Sequence, residues 1–164
     1  MEKTRLNLAC GKDYREGYIN VDNLSMFIGK VDIIADVKEF TYEINAVDEI
    51  LVSHFAMYCD QTEMKHLIFS SFMWLKNKGT LIIETGDLKK IAKTILESED
   101  PRTINGTNGV MQLFGINETK GHTWAWCYET LEPLLIEAGF SSITRMDGGL
   151  HNRPERDITI IARK

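Results

Sequence analysis

The chain has 164 residues, 43% hydrophobic and 26% charged, with 12 glycines and only 3 prolines, a composition that excludes a disordered, collagenous or low-complexity polymer. That length suits one domain, residues 1–164, able to hide roughly 70% of its unfolded surface and so to build a core without disulfide or metal staples. Nineteen Lys and Arg against 24 Asp and Glu give a net charge of −5 with no basic stripe, so no nucleic-acid partner is expected.

Short runs rich in β-branched and apolar residues mark strands at Arg5–Ala9, Tyr18–Asp22, Val31–Ala35, Ile50–Ser53 and Thr80–Thr85. Their near-continuous apolar character fits strands buried on both faces, as in a parallel sheet covered by helices. Asp60 with Glu63 three residues on has capping-box spacing, and Met64, Leu67, Ile68, Phe72 and Leu75 follow at helical intervals until Asn77-Lys78-Gly79 stops the helix. A second helix opens at Asp87, with Leu88, Ile91, Ala92 and Ile95 on one face. A third covers Glu129 to Ala138, with Pro133 expected in its first turn and Gly139 as its stop. Ser141–Met146 and Asp157–Ala162 then follow as strands with no helix between them, and should pair antiparallel. Only the short stretches Cys10–Gly17 and Asn23–Lys30 separate the first three strands, so one face of the sheet is expected to be thinly covered there.

The three cysteines, Cys10, Cys59 and Cys127, are widely spaced and never C-x-x-C, which favours a reducing cytoplasm over a disulfide framework or zinc finger. No apolar leader precedes the first strand, and no run approaches the ~18–20 residues of a membrane span, so no membrane association is expected.

The chemistry-bearing residues collect at strand ends. Gly11 lies where the chain must turn off the first strand, and small residues there let a ligand approach backbone N–H groups. Asp22 ends the second strand, Asp36 and Val37 follow the third, and Ser53-His54 ends the fourth. In an open α/β sheet the ligand crevice lies beyond the carboxyl ends of the strands, where an acid such as Asp22 can accept both hydroxyls of a ribose. A dinucleotide site would need G-x-G-x-x-G, but positions 9, 11 and 14 are Ala, Gly and Tyr, and the acid comes too early. A P-loop is excluded by Leu6 and Asp13 around Gly11-Lys12. The pairs His54/Cys59 and His122/Cys127 hold too few ligands for a metal, and none is expected.

The order LNLACG (6–11), NVD (20–22), IIAD (33–36), VDEILVSH (47–54) and LKNKGTLIIE (75–84) resembles the class I S-adenosylmethionine-dependent methyltransferases, most closely their small bacterial type. The likeness continues through LFG (113–115), LLIEAGF (134–140) and RDITIIARK (156–164). It implies a three-layer α/β, Rossmann-like methyltransferase fold with a seven-stranded, mostly parallel sheet whose last strand is antiparallel. It also implies S-adenosylmethionine as cofactor. Ala9, Cys10 and Gly11 would lie along its methionine part and Asp22 would hold the ribose. Asn23 and Leu24 would flank the adenine, Asp36 and Val37 would meet its edge, and Ser53 and His54 would sit near the sulfonium. The implied activity is in-line methyl transfer to an oxygen or nitrogen of a small molecule or saccharide, with His54 or His122 as the base. The alternative is a methyltransferase-fold module that binds without catalysis.

Departures from the pattern are local. Ala9 and Asp13 replace two glycines, Asn7 stands where an acid is common, and Ser53-His54-Phe55-Ala56-Met57-Tyr58 lacks the Glu-His pair of relatives. The aromatic-rich stretch from Glu99 to Tyr128 is expected to fold over the acceptor pocket, alone or with a second copy of the chain in a homodimer.

Overall fold

A computed structural model describes residues 3–23, 29–98, 111–115 and 121–164. Its strands are β1 (Arg5–Leu8), β2 (Ile19–Asp22), β3 (Ile33–Ile34), β4 (Val47–Ser53), β5 (Leu75–Gly86), β6 (Ser142–Asp147) and β7 (Asp157–Arg163). Its helices are α1 (Gln61–Trp74), α2 (Leu88–Glu97), the single turn α3 (Met111–Phe114) and α4 (Tyr128–Ala138). No described helix is long and apolar enough to cross a membrane.

The strands form one seven-stranded sheet in the order β3-β2-β1-β4-β5-β7-β6. Pairing is parallel from β3 to β5, while β7 is antiparallel to both of its neighbours. The sheet is the expected one, and the reversal of β7 has a simple origin. β6 and β7 follow each other without a helix to carry the chain back, so the second must run against the first.

The core follows the apolar runs. Leu6, Leu8, Val21, Ile50, Val52, Leu81, Ile83, Ile158 and Ile160 are fully buried, and Met64 and Ile68 of α1 with Leu131 and Leu135 of α4 join the same cluster. Asp60 caps α1 by accepting from the Glu63 N–H (2.8 Å), while Glu63 reaches back to the Asp60 N–H (2.9 Å). Asp87 caps α2 through the Lys89 N–H. Trp74 is buried, with Phe40 edge-on against its ring.

Several boundaries differ from expectation: β3 is only Ile33–Ile34, β4 begins earlier at Val47, and β5 already at Leu75. α1 stops at Trp74, because the buried Leu75 already pairs with Val47 of β4. Asn77-Lys78-Gly79 then forms a bulge inside β5, with Lys78 at φ 67, before pairing resumes at Glu49–Thr80. Pro133 lies in the second turn of α4 instead of the first, because the helix begins at Tyr128 with Cys127 as its cap. The connection from β1 to β2 contains turns and no helix, as its length requires.

Candidate functional site

The carboxyl edge of the sheet carries the site. β1 ends at Leu8, and the chain leaves it through Ala9 (φ 54) and Gly11 (φ 52), both left-handed. An L-residue pays about 1–2 kcal/mol for that conformation, so Ala9 occupies a position better suited to the glycine it replaces. The loop is held in this shape from below. The buried Asn7 amide donates to the Asp13 carbonyl (2.7 Å) and to Asn20 Oδ1 (2.9 Å), and Asn20 in turn receives the Arg15 N–H. Asn7 therefore works as a neutral brace for the loop in the place where an acid is common.

Asp22, at the end of β2, accepts from the Gly11 N–H at 3.0 Å and so ties the β1 and β2 ends together. Asp36 accepts from the Lys38 N–H (3.0 Å) and stabilises the turn after β3, with Val37 buried behind it. Ser53 Oγ is spent on Glu84 Oε2 (2.9 Å). Cys10 is buried, and that burial together with the Asp22 charge pushes its thiol up to about 11, so it is a neutral wall and no nucleophile.

Ala9, Cys10, Gly11, Asp22, Asn23, Asp36, Val37, Ser53 and His54 all line one cavity of about 640 Å³; Leu24 lies outside the described residues. Asn7, Lys38, Phe55, Met57, Tyr58, Thr123 and His151 complete much of its wall. The volume falls in the range of about 300–1,000 Å³ used for small ligands and cofactors.

No protein-family model and no curated protein matches the sequence. Solved structures match the architecture. An S-adenosylmethionine-dependent methyltransferase from Archaeoglobus fulgidus matches with TM-score 0.68 and 19% identity, over 99% of this chain and 86% of that one. One from Mesorhizobium loti matches with TM-score 0.67 and 15% identity, over 98% and 90% of the two chains. The fold is that of the S-adenosylmethionine-dependent methyltransferases. Human N-acetylserotonin methyltransferase, in complex with S-adenosylmethionine, shares it with TM-score 0.60 at 18% identity, and this chain spans 47% of that longer protein.

Within this methyltransferase fold the two candidate bases part company. His54 takes a positive φ of 50 just beyond β4 and lines the large cavity. Its Nε2 lies 3.4 Å from Asp157 Oδ2, 3.4 Å from the Arg156 guanidinium and 3.7 Å from Glu84 Oε2. His122 does not line that cavity. Its backbone N–H is bonded to the Phe114 carbonyl and its Nδ1 lies 3.0 Å from the Gln112 carbonyl, which turns the ring into a small separate cleft with Trp124 and Trp126. It meets the cavity only indirectly, edge-on against Tyr58. Burial pushes its pKa below the ordinary histidine value.

The proposed cover is partly described. Residues 99–110 and 116–120 lie outside the described structure. Trp126 is core, with its Nε1 donating to the Ala56 carbonyl at 2.8 Å, and Tyr128 opens α4. Gly121 and Thr123 do reach the cavity, held there by the Thr123 N–H on the Met57 carbonyl.

Sequence reasoning missed Glu84, Asp157 and His151. Glu84 and Asp157 are fully buried carboxylates at the same sheet edge, Glu84 near the end of β5 and Asp157 at the start of the reversed β7. An acid closing an apolar run is the signal that picks out Asp22, and TLIIE offers it at Glu84. His151 lies in the connection between β6 and β7 and carries no such local signal.

Proposed function

We propose that the protein binds S-adenosylmethionine in this cavity and transfers its methyl group in line to an oxygen or nitrogen of a small-molecule or saccharide acceptor. The observation that carries the reading is Asp22, fixed by the Gly11 N–H on the wall of a cavity lined from the ends of the first four strands. A carboxylate so placed suits vicinal ribose hydroxyls, and the Ala9–Gly11 loop, lining the same cavity, would lie along the methionine portion. In this reading Asn23 and the Asp36–Val37 turn border the adenine. The acids Asp13, Asp22 and Asp36 outnumber Lys12 and Lys38 on the wall, a balance that suits a sulfonium cation.

The sulfonium carries its own leaving group, so the protein's task is to align the acceptor and exclude water. Of the two candidate bases, His54 is the one that lines the cavity, and in this reading it receives a proton from an acceptor hydroxyl or amine. His122 supports the wall through Tyr58 in this reading.

The test is calorimetric titration with S-adenosylhomocysteine, followed by methyl transfer from labelled S-adenosylmethionine to a panel of phenols, amines and saccharides. Saturable binding with turnover supports the proposal. No binding removes it, and tight binding without transfer to any acceptor would make the protein a cofactor-binding module instead.

A further inference from the structure

One group of side chains at the cavity edge, with His54 and His151 on the wall and Glu84 buried behind them, takes no part in holding a nucleoside. His54, Glu84 and His151 converge from the end of β4, from β5 and from the connection before β7, each offering one ligand atom within 4.8 Å of the other two. Glu84 is fixed by Ser53 Oγ at 2.9 Å and by the His151 backbone N–H at 3.0 Å. Its Oε2 is hydrogen-bonded to His151 Nδ1 and faces His54 Nε2 at 3.7 Å. The two imidazole rings meet edge-on with centroids 5.0 Å apart.

We propose that His54 Nε2, Glu84 Oε2 and His151 Nδ1 form a site for a divalent transition cation such as zinc or manganese, with its remaining positions open to the cavity for an oxygen of the methyl acceptor. Two imidazoles and one carboxylate are a donor set such ions accept, with an open position wherever only three protein ligands are present. Metal–ligand bonds of about 2.0–2.2 Å place neighbouring donor atoms roughly 3–3.5 Å apart. The His54–Glu84 spacing is close to that already. The His151–Glu84 hydrogen bond must open to admit the ion. His151 can make that change by side-chain rotation, because its imidazole is 34% exposed.

Charge points the same way. Glu84 and Asp157 are both fully buried. Arg156 is committed to Asp157 through bonds of 2.5 and 2.7 Å. Glu84 is left with a hydroxyl, a backbone N–H and two imidazoles. A buried carboxylate needs a cation near it, and a divalent ion here would supply one. A divalent ion turns the net negative charge of this group into a net positive one, which suits an oxygen anion. An acceptor hydroxyl bound there loses its proton to solvent water. Its oxygen lone pair then forms the C–O bond while the C–S bond breaks and leaves the neutral thioether.

The ion site stands on its own residues; only the identity of the group in its open position rests on the cofactor reading above. With an ion bound, His54 Nε2 is a ligand, and coordination takes over the base's task.

The experiment uses the full chain, stripped of metal by a chelator and titrated with Co²⁺, then with Zn²⁺ in competition, with S-adenosylhomocysteine binding measured on the stripped and the loaded protein. Expected are visible d–d absorption saturating at one cobalt per chain, displacement by zinc, and at least tenfold weaker cobalt binding in both Glu84→Gln and His151→Ala. His151→Ala keeps the test sharp if the buried Glu84 variant fails to fold, because its side chain is partly exposed. Failure of the parent to bind cobalt one-to-one, or unchanged binding in His151→Ala, would overturn the site. S-adenosylhomocysteine binding in the absence of cobalt binding would leave the cofactor reading intact and remove this one. Cobalt binding without S-adenosylhomocysteine binding would do the reverse.

Discussion

Replacing Asp22 by Ala tests the cofactor assignment most directly. In the structure one oxygen of the Asp22 carboxylate receives the Gly11 N–H at 3.0 Å, so the side chain both shapes the loop and faces the cavity. If it also accepts from ribose hydroxyls, its removal costs about 1.5–3 kcal/mol for hydrogen bonds to a charged group. That corresponds to a roughly ten- to 150-fold loss of affinity for S-adenosylhomocysteine. Asp22→Asn should fall between, because the amide keeps one acceptor oxygen but loses the second and the charge that strengthens both bonds. The decisive measurement is a cycle by calorimetry: parent and Asp22→Ala, each against S-adenosylhomocysteine and its 2′,3′-dideoxy analogue. Removing the hydroxyls should cost the parent most of that energy and cost the variant almost nothing. Equal penalties in the two proteins would mean that the carboxylate does not touch the ribose, and the reasoning would fail.

Three further outcomes are expected. Cys10, with its thiol pushed up to about 11 by burial and then by the Asp22 charge, should alkylate slowly at neutral pH and faster only toward strongly alkaline pH; rapid iodoacetamide labelling at pH 7 would contradict the described environment. His122 has a depressed pKa, so the unfolded chain takes up a proton near pH 6.5 that the folded site refuses. Stability should therefore fall as pH drops below about 6.5, and His122→Gln should flatten that part of the curve; urea midpoints that run parallel between about pH 7 and 5 would refute it. Trp126→Phe should lose the bond to the Ala56 carbonyl and leave a gap, costing about 1–3 kcal/mol in urea unfolding. The lower end is expected because the Cys59 N–H still bonds that carbonyl.

How much of this was legible follows from where each signal lies. The strands declare themselves as apolar runs, and Asp22 as an acid closing one of them, so both the sheet and part of the cavity wall can be read locally. The bulge at Lys78 cannot, because it exists only to keep Leu75 and Thr80 in register with β4. His122 shares its residue type with His54 but not its place, since one backbone bond to Phe114 decides which cavity the ring enters. The His54–Glu84–His151 group joins three segments far apart in sequence, so no spacing rule could collect it. Its convergence depends on the reversal of β7, which sets Thr159 beside Glu84 and brings the preceding connection over the sheet edge.

That reversal has a consequence for how the chain is made. β7 lies between β5 and β6, and β6 has no other partner in the sheet. While the ribosome is still producing the segment between β5 and β7, the long strand β5 is complete but bare along one side. At ~5–20 residues per second, the roughly 70 residues between them leave that edge open for about 4–14 s. An unpaired edge is a template for any strand of matching pattern, including the same segment of a neighbouring nascent chain. The protein should therefore form exchanged dimers most readily when translation stalls before Asp157. By the same logic, a truncated chain should regain its sheet when the DITIIAR segment is supplied as a separate peptide.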